Sequence, residues 1–111
     1  MKRITIDEVK TNLAQYQANS FILDVRTPDE YRESHIAGAV NCDHESVPAK
    51  VTSIKALAGN RTILVLCRAG RRAEFASAAL EAAGVKDLVC VSTGGMGDYS
   101  GPSTSEAGKI L

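Results

Sequence analysis

The sequence predicts an α/β fold, one domain over residues 1–111, with a largely parallel sheet covered by helices on both sides. Short β-like runs recur at Ile4–Ile6, Phe21–Val25, Ala39–Asn41, Ile63–Leu66 and Leu88–Val91, and segments of helical character separate most of them. The runs around Leu23, Val65 and Val89 are nearly continuous in apolar residues, the pattern of central strands buried on both faces. With 111 residues, 44% apolar and 23% charged, the chain can also bury a real core without disulfide or metal staples.

Each element has its own signal. Asp7 is placed to cap a helix from Glu8 to about Tyr16, with Val9, Leu13 and Tyr16 or Gln17 on its inner face. After the strand Phe21–Val25, Thr27-Pro28-Asp29-Glu30 offers a capping hydroxyl, a proline at the first helical position and a glutamate three residues past the cap. A short helix ending near Ser34 follows from it. A further helix from about Arg72 to Ala83, closed by Gly84, carries Phe75, Ala76, Ala79, Leu80 and Ala83 on one stripe. Residues Ile63 to Val91 therefore read strand, loop, helix, strand, and ligands of open α/β sheets collect where such strands end and helices begin. Gly94 to Ser105 is rich in Gly, Ser, Thr and Pro, so about 100–111 is expected to be an irregular tail.

Composition removes several classes of function. Thirteen basic side chains balance thirteen acidic ones, which argues against a nucleic-acid binder or a polybasic membrane module. The longest apolar runs, such as Ile63–Cys67, reach about a quarter of a bilayer span, so no membrane segment is expected. Lys2 and Arg3 could open a signal peptide, but Asp7, Glu8 and Lys10 stand where its apolar stretch belongs, which leaves a cytoplasmic location as the default. Cys42, Cys67 and Cys90, spaced 25 and 23 apart with no close pair, fit neither a zinc site nor a disulfide framework. No metal or cofactor is called for, and each cysteine is either a small buried hydrophobe or a reactive thiol.

The stretch Cys67-Arg68-Ala69-Gly70-Arg71-Arg72 joins a strand to a helix and holds no Ser, Thr, Asn or Asp to cap that helix. A helix start leaves several amides unpaired and carries about half a positive charge, and three arginines crowd this one. An anion or thiolate held by inward-pointing amides supplies the missing cap, with Gly70 allowing the curvature, and Cys67 is the obvious resident. An ordinary cysteine with a pKa of about 8.5 is only about 3% ionised at neutral pH; lowering it by about two units, roughly 2.7 kcal/mol, makes it mostly thiolate. No histidine lies between Glu45 and Leu111, which suits a nucleophile that works without a histidine base. The plainer reading, a cysteine that merely ends a buried strand beside solvated arginines, leaves the helix uncapped.

Three stretches in order carry a resemblance to the single-domain rhodaneses, sulfurtransferases of the rhodanese-like superfamily. Asp24-Val25-Arg26-Thr27-Pro28-Asp29-Glu30-Tyr31 and then His35-Ile36-Ala37-Gly38-Ala39-Val40-Asn41 are similar to that family's DVR-x-x-x-E-(Y/F) and HI-x-GA-x-N stretches. Cys67-Arg68-Ala69-Gly70-Arg71-Arg72-Ala73 is similar to its C-R-x-G-x-R-(S/A) loop, and Gly94-Gly95-Met96 to its GG(M/I/L) segment. The resemblance implies a three-layer α/β/α fold with a mainly parallel five-stranded sheet, and Cys67 at the bottom of a pocket rimmed by the loop to Arg72. It also implies a Cys67 persulfide, loaded by thiosulfate or another sulfane donor and emptied by cyanide, a thiol or a protein acceptor. Substrate-binding candidates are then Arg68, Ala69, Gly70, Arg71, Arg72 and Ala73, with the choice among the arginines open. Tyr99 stands where the family often has tryptophan, and Gly97, Gly101 and Pro102 make the chain beyond look loose.

The remaining candidates have structural expectations. Asp24 is expected to pair with Arg26 or contact backbone, His35 to stabilise a turn, His44 to sit at the surface, and Cys90 to lie in the core. Cys42 is expected to be an ordinary buried cysteine, with a resolving thiol as the alternative. Two rival functions are a non-catalytic rhodanese-like module and a cysteine-dependent phosphatase or arsenate reductase. Modules of the first kind usually lack the loop cysteine that Cys67 supplies. The second kind needs C-x5-R and thus arginine at position 73, where Ala73 stands; Arg72 gives a ring one residue smaller, which suits a single sulfur better than a tetrahedral oxyanion.

Overall fold

The computed structural model, which describes all of Met1–Leu111, has five strands: β1 (Lys2–Thr5), β2 (Ser20–Asp24), β3 (Val40–Asn41), β4 (Thr62–Leu66) and β5 (Leu88–Thr93). They pair in the order β1-β5-β4-β2-β3, every pairing parallel, so the three nearly continuous apolar runs occupy the middle as expected. Alternate side chains enter two cores. Phe21, Leu23, Ile63, Val65, Leu88 and Cys90 face one side, and Ile22, Leu64, Leu66, Val89 and Val91 the other. Helices α4 (Val47–Ala58) and α5 (Arg71–Ala82) cover the first core. Helices α1 (Ile6–Thr11), α2 (Leu13–Asn19) and α3 (Pro28–Glu33) cover the second, which completes the α/β/α layering.

Local chemistry explains where the elements depart from expectation. Ile6 opens α1 instead of ending β1, because Thr5 and not Asp7 is the cap: its hydroxyl accepts the Glu8 amide at 3.2 Å. The single helix expected over Glu8–Tyr16 breaks at Asn12, which leaves the helical path at φ −113° and ψ 26° while its side-chain and backbone amides both donate to the Glu8 carbonyl. Val9 is buried as expected, whereas Leu13 and Tyr16 are half-buried and Gln17 is exposed. The Thr27–Glu30 capping box forms as read. Helix α4, to which no separate signal pointed, follows a 3-10 turn at His44–Ser46 and stops at Gly59, whose φ of 60° ends the helical path.

Helix α5 is rotated from the expected phase. Its buried stripe is Ala73, Ala76, Ser77 and Leu80, while Phe75 is 53% exposed and Ala83 is exposed. Small residues at the i, i+3 and i+4 positions, Ala73, Ala76 and Ser77, let the first turns of α5 lie close on the sheet. Phenylalanine in their place would hold it off.

The tail is irregular but not loose. Thr104 and His35 exchange both backbone hydrogen bonds at 2.8 Å; the Asn41 amide donates to Lys109 O at 2.9 Å, and the Leu111 amide to Asn41 O at 2.8 Å. Glycine and proline content reports which conformations a segment can adopt, not what it finds to bind. Here the two-residue edge strand β3 offers unpaired backbone groups, and the tail takes them. No helix is long and apolar enough to cross a membrane. Removing residues 104–111 is expected to cost about 2 kcal/mol, a drop of about 10 °C in the calorimetric midpoint, through the loss of those four bonds. A midpoint within about 2 °C of the full chain would show that the strap is not a stabilising element.

Candidate active site

Because β2 and β4 are parallel, their C-terminal ends open on one edge of the sheet, and Cys67 comes immediately after the last residue of β4. The turn from there into α5 passes through Gly70, at φ 108°, where a side chain would run into the Ser92 carbonyl. That curvature aims amides at the sulfur. The Gly70 N–H donates to Cys67 Sγ at 3.0 Å and the Ala73 N–H at 3.3 Å, and no side chain caps α5. The sulfur therefore fills the cap position. It is buried, at 1% exposure, with hydrocarbon of the core below it and peptide N–H groups around it. The amides of Arg68, Ala69, Arg71 and Arg72 donate to no acceptor of the chain and remain free for a ligand.

The three arginines do not play equal parts. Arg72 makes a two-point contact with Glu30, 2.6 Å from Nη1 to Oε1 and 3.0 Å from Nη2 to Oε2. Glu30 Oε1 also accepts the Thr27 amide and hydroxyl, each at 3.1 Å, so the carboxylate joins the starts of α3 and α5. The Arg72 hydrogen bond is the main reason its carboxyl is held down to about 2. Arg68 and Arg71 are exposed and form no ion pair. Ala69 is exposed between them, and Ala73 contributes its amide to the sulfur and its methyl group to the core.

Gly94-Gly95-Met96 has a role that its sequence did not disclose. The Met96 amide donates to Cys67 O at 2.8 Å and the Gly97 amide to Arg68 O at 3.0 Å, latching the loop from outside. Gly95 permits this approach, since a Cβ there would collide with the Cys67 and Arg68 carbonyls. The doubled glycine was the available signal, but nothing local named its partner.

A second support lies beneath. Asp24, fully buried, accepts Arg26 Nε at 3.0 Å and Nη2 at 2.7 Å, and Arg26 also donates to Ser34 O. Asn41 donates to the Asp24 and Arg26 carbonyls, while the Val25 amide donates to Leu66 O, the residue before Cys67. The expected Asp24–Arg26 pair is thus part of the frame. His35 stacks on Tyr31 with ring centres 3.9 Å apart and its Nδ1 lies 2.8 Å from Tyr31 O, a turn-stabilising place as read. His44 sits half-buried beside Asp43, edge-on to Phe75. Burial pushes the Cys90 thiol up to about 11 and raises that of Cys42. None of the three surface cavities is lined by residues 67–72, and the one beside Tyr31, His35 and the tail has about 330 Å³.

Residues 5–101 match the family described as the Rhodanese-like domain. The chain belongs to that family. Among curated relatives, the Bacillus subtilis protein named putative sulfur carrier protein YrkF is 34% identical over 80 residues, 72% of this chain and 41% of that one. The chain thus matches about two-fifths of that relative's length. The Escherichia coli protein named thiosulfate sulfurtransferase PspE is 30% identical over 80 residues, 72% of this chain and 74% of its own. A rhodanese-like domain protein from Staphylococcus aureus, known from a crystal structure, superposes with a TM-score of 0.78 at 30% identity, covering 96% of this chain and all of that one.

Two measurements probe the rhodanese-like frame. Gly95→Ala is expected to lower stability by about 1–3 kcal/mol and to expose Cys67 to disulfide reagents, because the latch must retreat from the loop; unchanged urea unfolding would remove that account. For Glu30 the folded carboxyl lies below its ordinary 4.5, so its stabilisation is present above about 4.5 and is lost as pH falls toward about 2. Glu30→Gln should then lose less stability than wild type between pH 6 and pH 2.5, read from urea midpoints. Equal losses would mean that the ion pair contributes nothing to acid stability.

Proposed function

We propose that this protein is a sulfurtransferase, one domain over residues 1–111, that carries sulfane sulfur as a persulfide on Cys67. The single observation that supports it best is the sulfur at the start of α5, taking two amide hydrogen bonds where no side-chain cap exists. Those bonds, the helix terminus and the nearby guanidinium groups all favour a negatively charged sulfur. The names of the B. subtilis and E. coli relatives point the same way.

In the first half-reaction, the Cys67 thiolate attacks the outer sulfur of thiosulfate or the terminal sulfur of a persulfide. The donor's S–S bond breaks, and sulfite or a thiolate leaves with the bonding pair. Arg68 and Arg71, exposed and unpaired, draw in the anionic donor. The free amides of Arg68, Ala69, Arg71 and Arg72 hold the terminal sulfur as it becomes part of the Cys67 persulfide. A thiol, cyanide or a protein thiol then attacks that sulfur, and Cys67 leaves as thiolate. The reducing cytoplasm suits a cycle that needs a free thiol between turnovers. Arg72 argues against phosphate chemistry, because its guanidinium is committed to Glu30 and does not stand free to clasp a tetrahedral oxyanion.

Intact mass after exposure to thiosulfate is the test: a gain of about 32 Da on wild type and none on Cys67→Ser is expected. Alkylation of Cys67 by iodoacetamide at pH 6 should also far outpace that of a free thiol such as glutathione. Sulfur retained by Cys67→Ser would move the nucleophile to Cys42 or Cys90. Hydrolysis of p-nitrophenyl phosphate without thiocyanate formation from thiosulfate and cyanide would replace the reading with a phosphatase.

A further inference from the structure

The capping box at the start of α3 does more than it needs to. Its back-bond requires only an oxygen from the third helical residue to reach the Thr27 amide, which glutamine provides as well as glutamate. In this chain the residue is Glu30, and its second oxygen, Oε2, is given wholly to Arg72 Nη2 at 3.0 Å while Oε1 takes Nη1 at 2.6 Å. The negative charge is surplus to the cap and is spent on one loop arginine.

We propose that Glu30 is a positioning residue that sets the charge of the sulfur site: it holds Arg72 in a two-point ion pair and leaves Arg68 and Arg71 as the two free cations for a dianionic donor. This rests on Cys67 being the sulfur acceptor. Arg72 stands in the first turn of α5, next to Ala73, whose amide donates to Cys67 Sγ at 3.3 Å. Unpaired, it would add a third positive charge to a site that must bind thiosulfate and then release sulfite, which is also largely dianionic. Two free cations match the charge of both without a surplus to retain the product.

The other charged groups on surrounding elements do not substitute for Glu30. At the end of β2, Asp24 and Arg26 neutralise each other. In α5, Glu74 is bound to Arg3. The turn before α4 carries Asp43 and Glu45 with His44 between them, and Asp43 acts on Arg72 at longer range than Glu30. Asp98 closes the turn of the glycine latch. Within α3, Asp29 and Arg32 pair with each other and Glu33 is exposed. None of them contacts the Arg72 guanidinium.

The sign of the effect separates charge setting from simple bracing. Glu30→Gln keeps the cap and removes the charge, so Cys67 should be alkylated by iodoacetamide at pH 6 about threefold faster than in wild type, and the KM for thiosulfate should fall about threefold without a rise in kcat. Arg72→Gln leaves the carboxylate unbalanced and should move both quantities the other way. The double variant should return to within about twofold of wild type, and Glu30→Asp, which keeps the charge, should stay near wild type in alkylation rate. Single variants that both slow alkylation would show a mere brace and overturn the proposal, as would a double variant whose change equals the sum of two losses. Unfolding of one single variant does not remove the test, because the double variant and Glu30→Asp still read the charge. Failure of wild type to take up sulfur would sink the sulfurtransferase reading instead, and the alkylation rates would still decide whether Glu30 sets the charge.

Discussion

A helix that begins without a capping side chain is the constraint on which the site depends. The first turn of α5 presents amides to the end of β4, and the groups available there are a sulfur and three arginines. The chain resolves this by bending at Gly70 until two amides meet Cys67 Sγ. The start of the helix and the place of the sulfur are thus one arrangement: the amides that lack a capping side chain are the ones that meet Cys67 Sγ. Ordinary capping by serine or aspartate at position 70 would bring a side chain against the Ser92 carbonyl and would compete with the sulfur for the Ala73 amide.

The rest of the fold holds that turn from three directions. From below, the buried Asp24–Arg26 pair and Asn41 fix the end of β2, and β2 holds Leu66 through the Val25 amide. From the side, Glu30 ties Arg72 to α3. From outside, the Gly94–Gly97 segment takes the Cys67 and Arg68 carbonyls. The tail acts one layer further out: it closes β3, and β3 carries Asn41.

Features fixed by neighbours in sequence were legible in it; features fixed by partners across the fold were not. The buried strands, the Thr27–Glu30 box and the uncapped loop could be read because their signals lie within a few residues. The phase of α5 could not, since Phe75 is apolar and periodicity cannot say that Ala73, Ala76 and the polar Ser77 are the residues that face this sheet. Nor could the break at Asn12, whose side chain turns back to the Glu8 carbonyl, or the docking of Thr104 and Lys109, whose partners His35 and Asn41 lie nearly seventy residues earlier. At the site, the loop residues were legible as a set. The division of labour among the arginines was not, because Glu30 and Arg72 lie 42 positions apart.

The three cysteines differ in what surrounds the sulfur, not in how deeply it is buried. Cys42 and Cys90 are each fully buried, Cys67 nearly so, and all three share one core cluster. Burial among hydrocarbon disfavours a thiolate, and it raises Cys42 and takes Cys90 up to about 11. The Cys90 thiol meets Glu74 Oε2 at 3.6 Å, an acceptor that binds the protonated form and opposes its loss. Cys67 meets only donors, the amides of Gly70 and Ala73. The difference between the three sulfurs is therefore one of hydrogen-bond partners and not of depth. Placing Cys67 at the junction of β4 and α5 supplies donors from the backbone itself, independent of any side chain that a single substitution could remove.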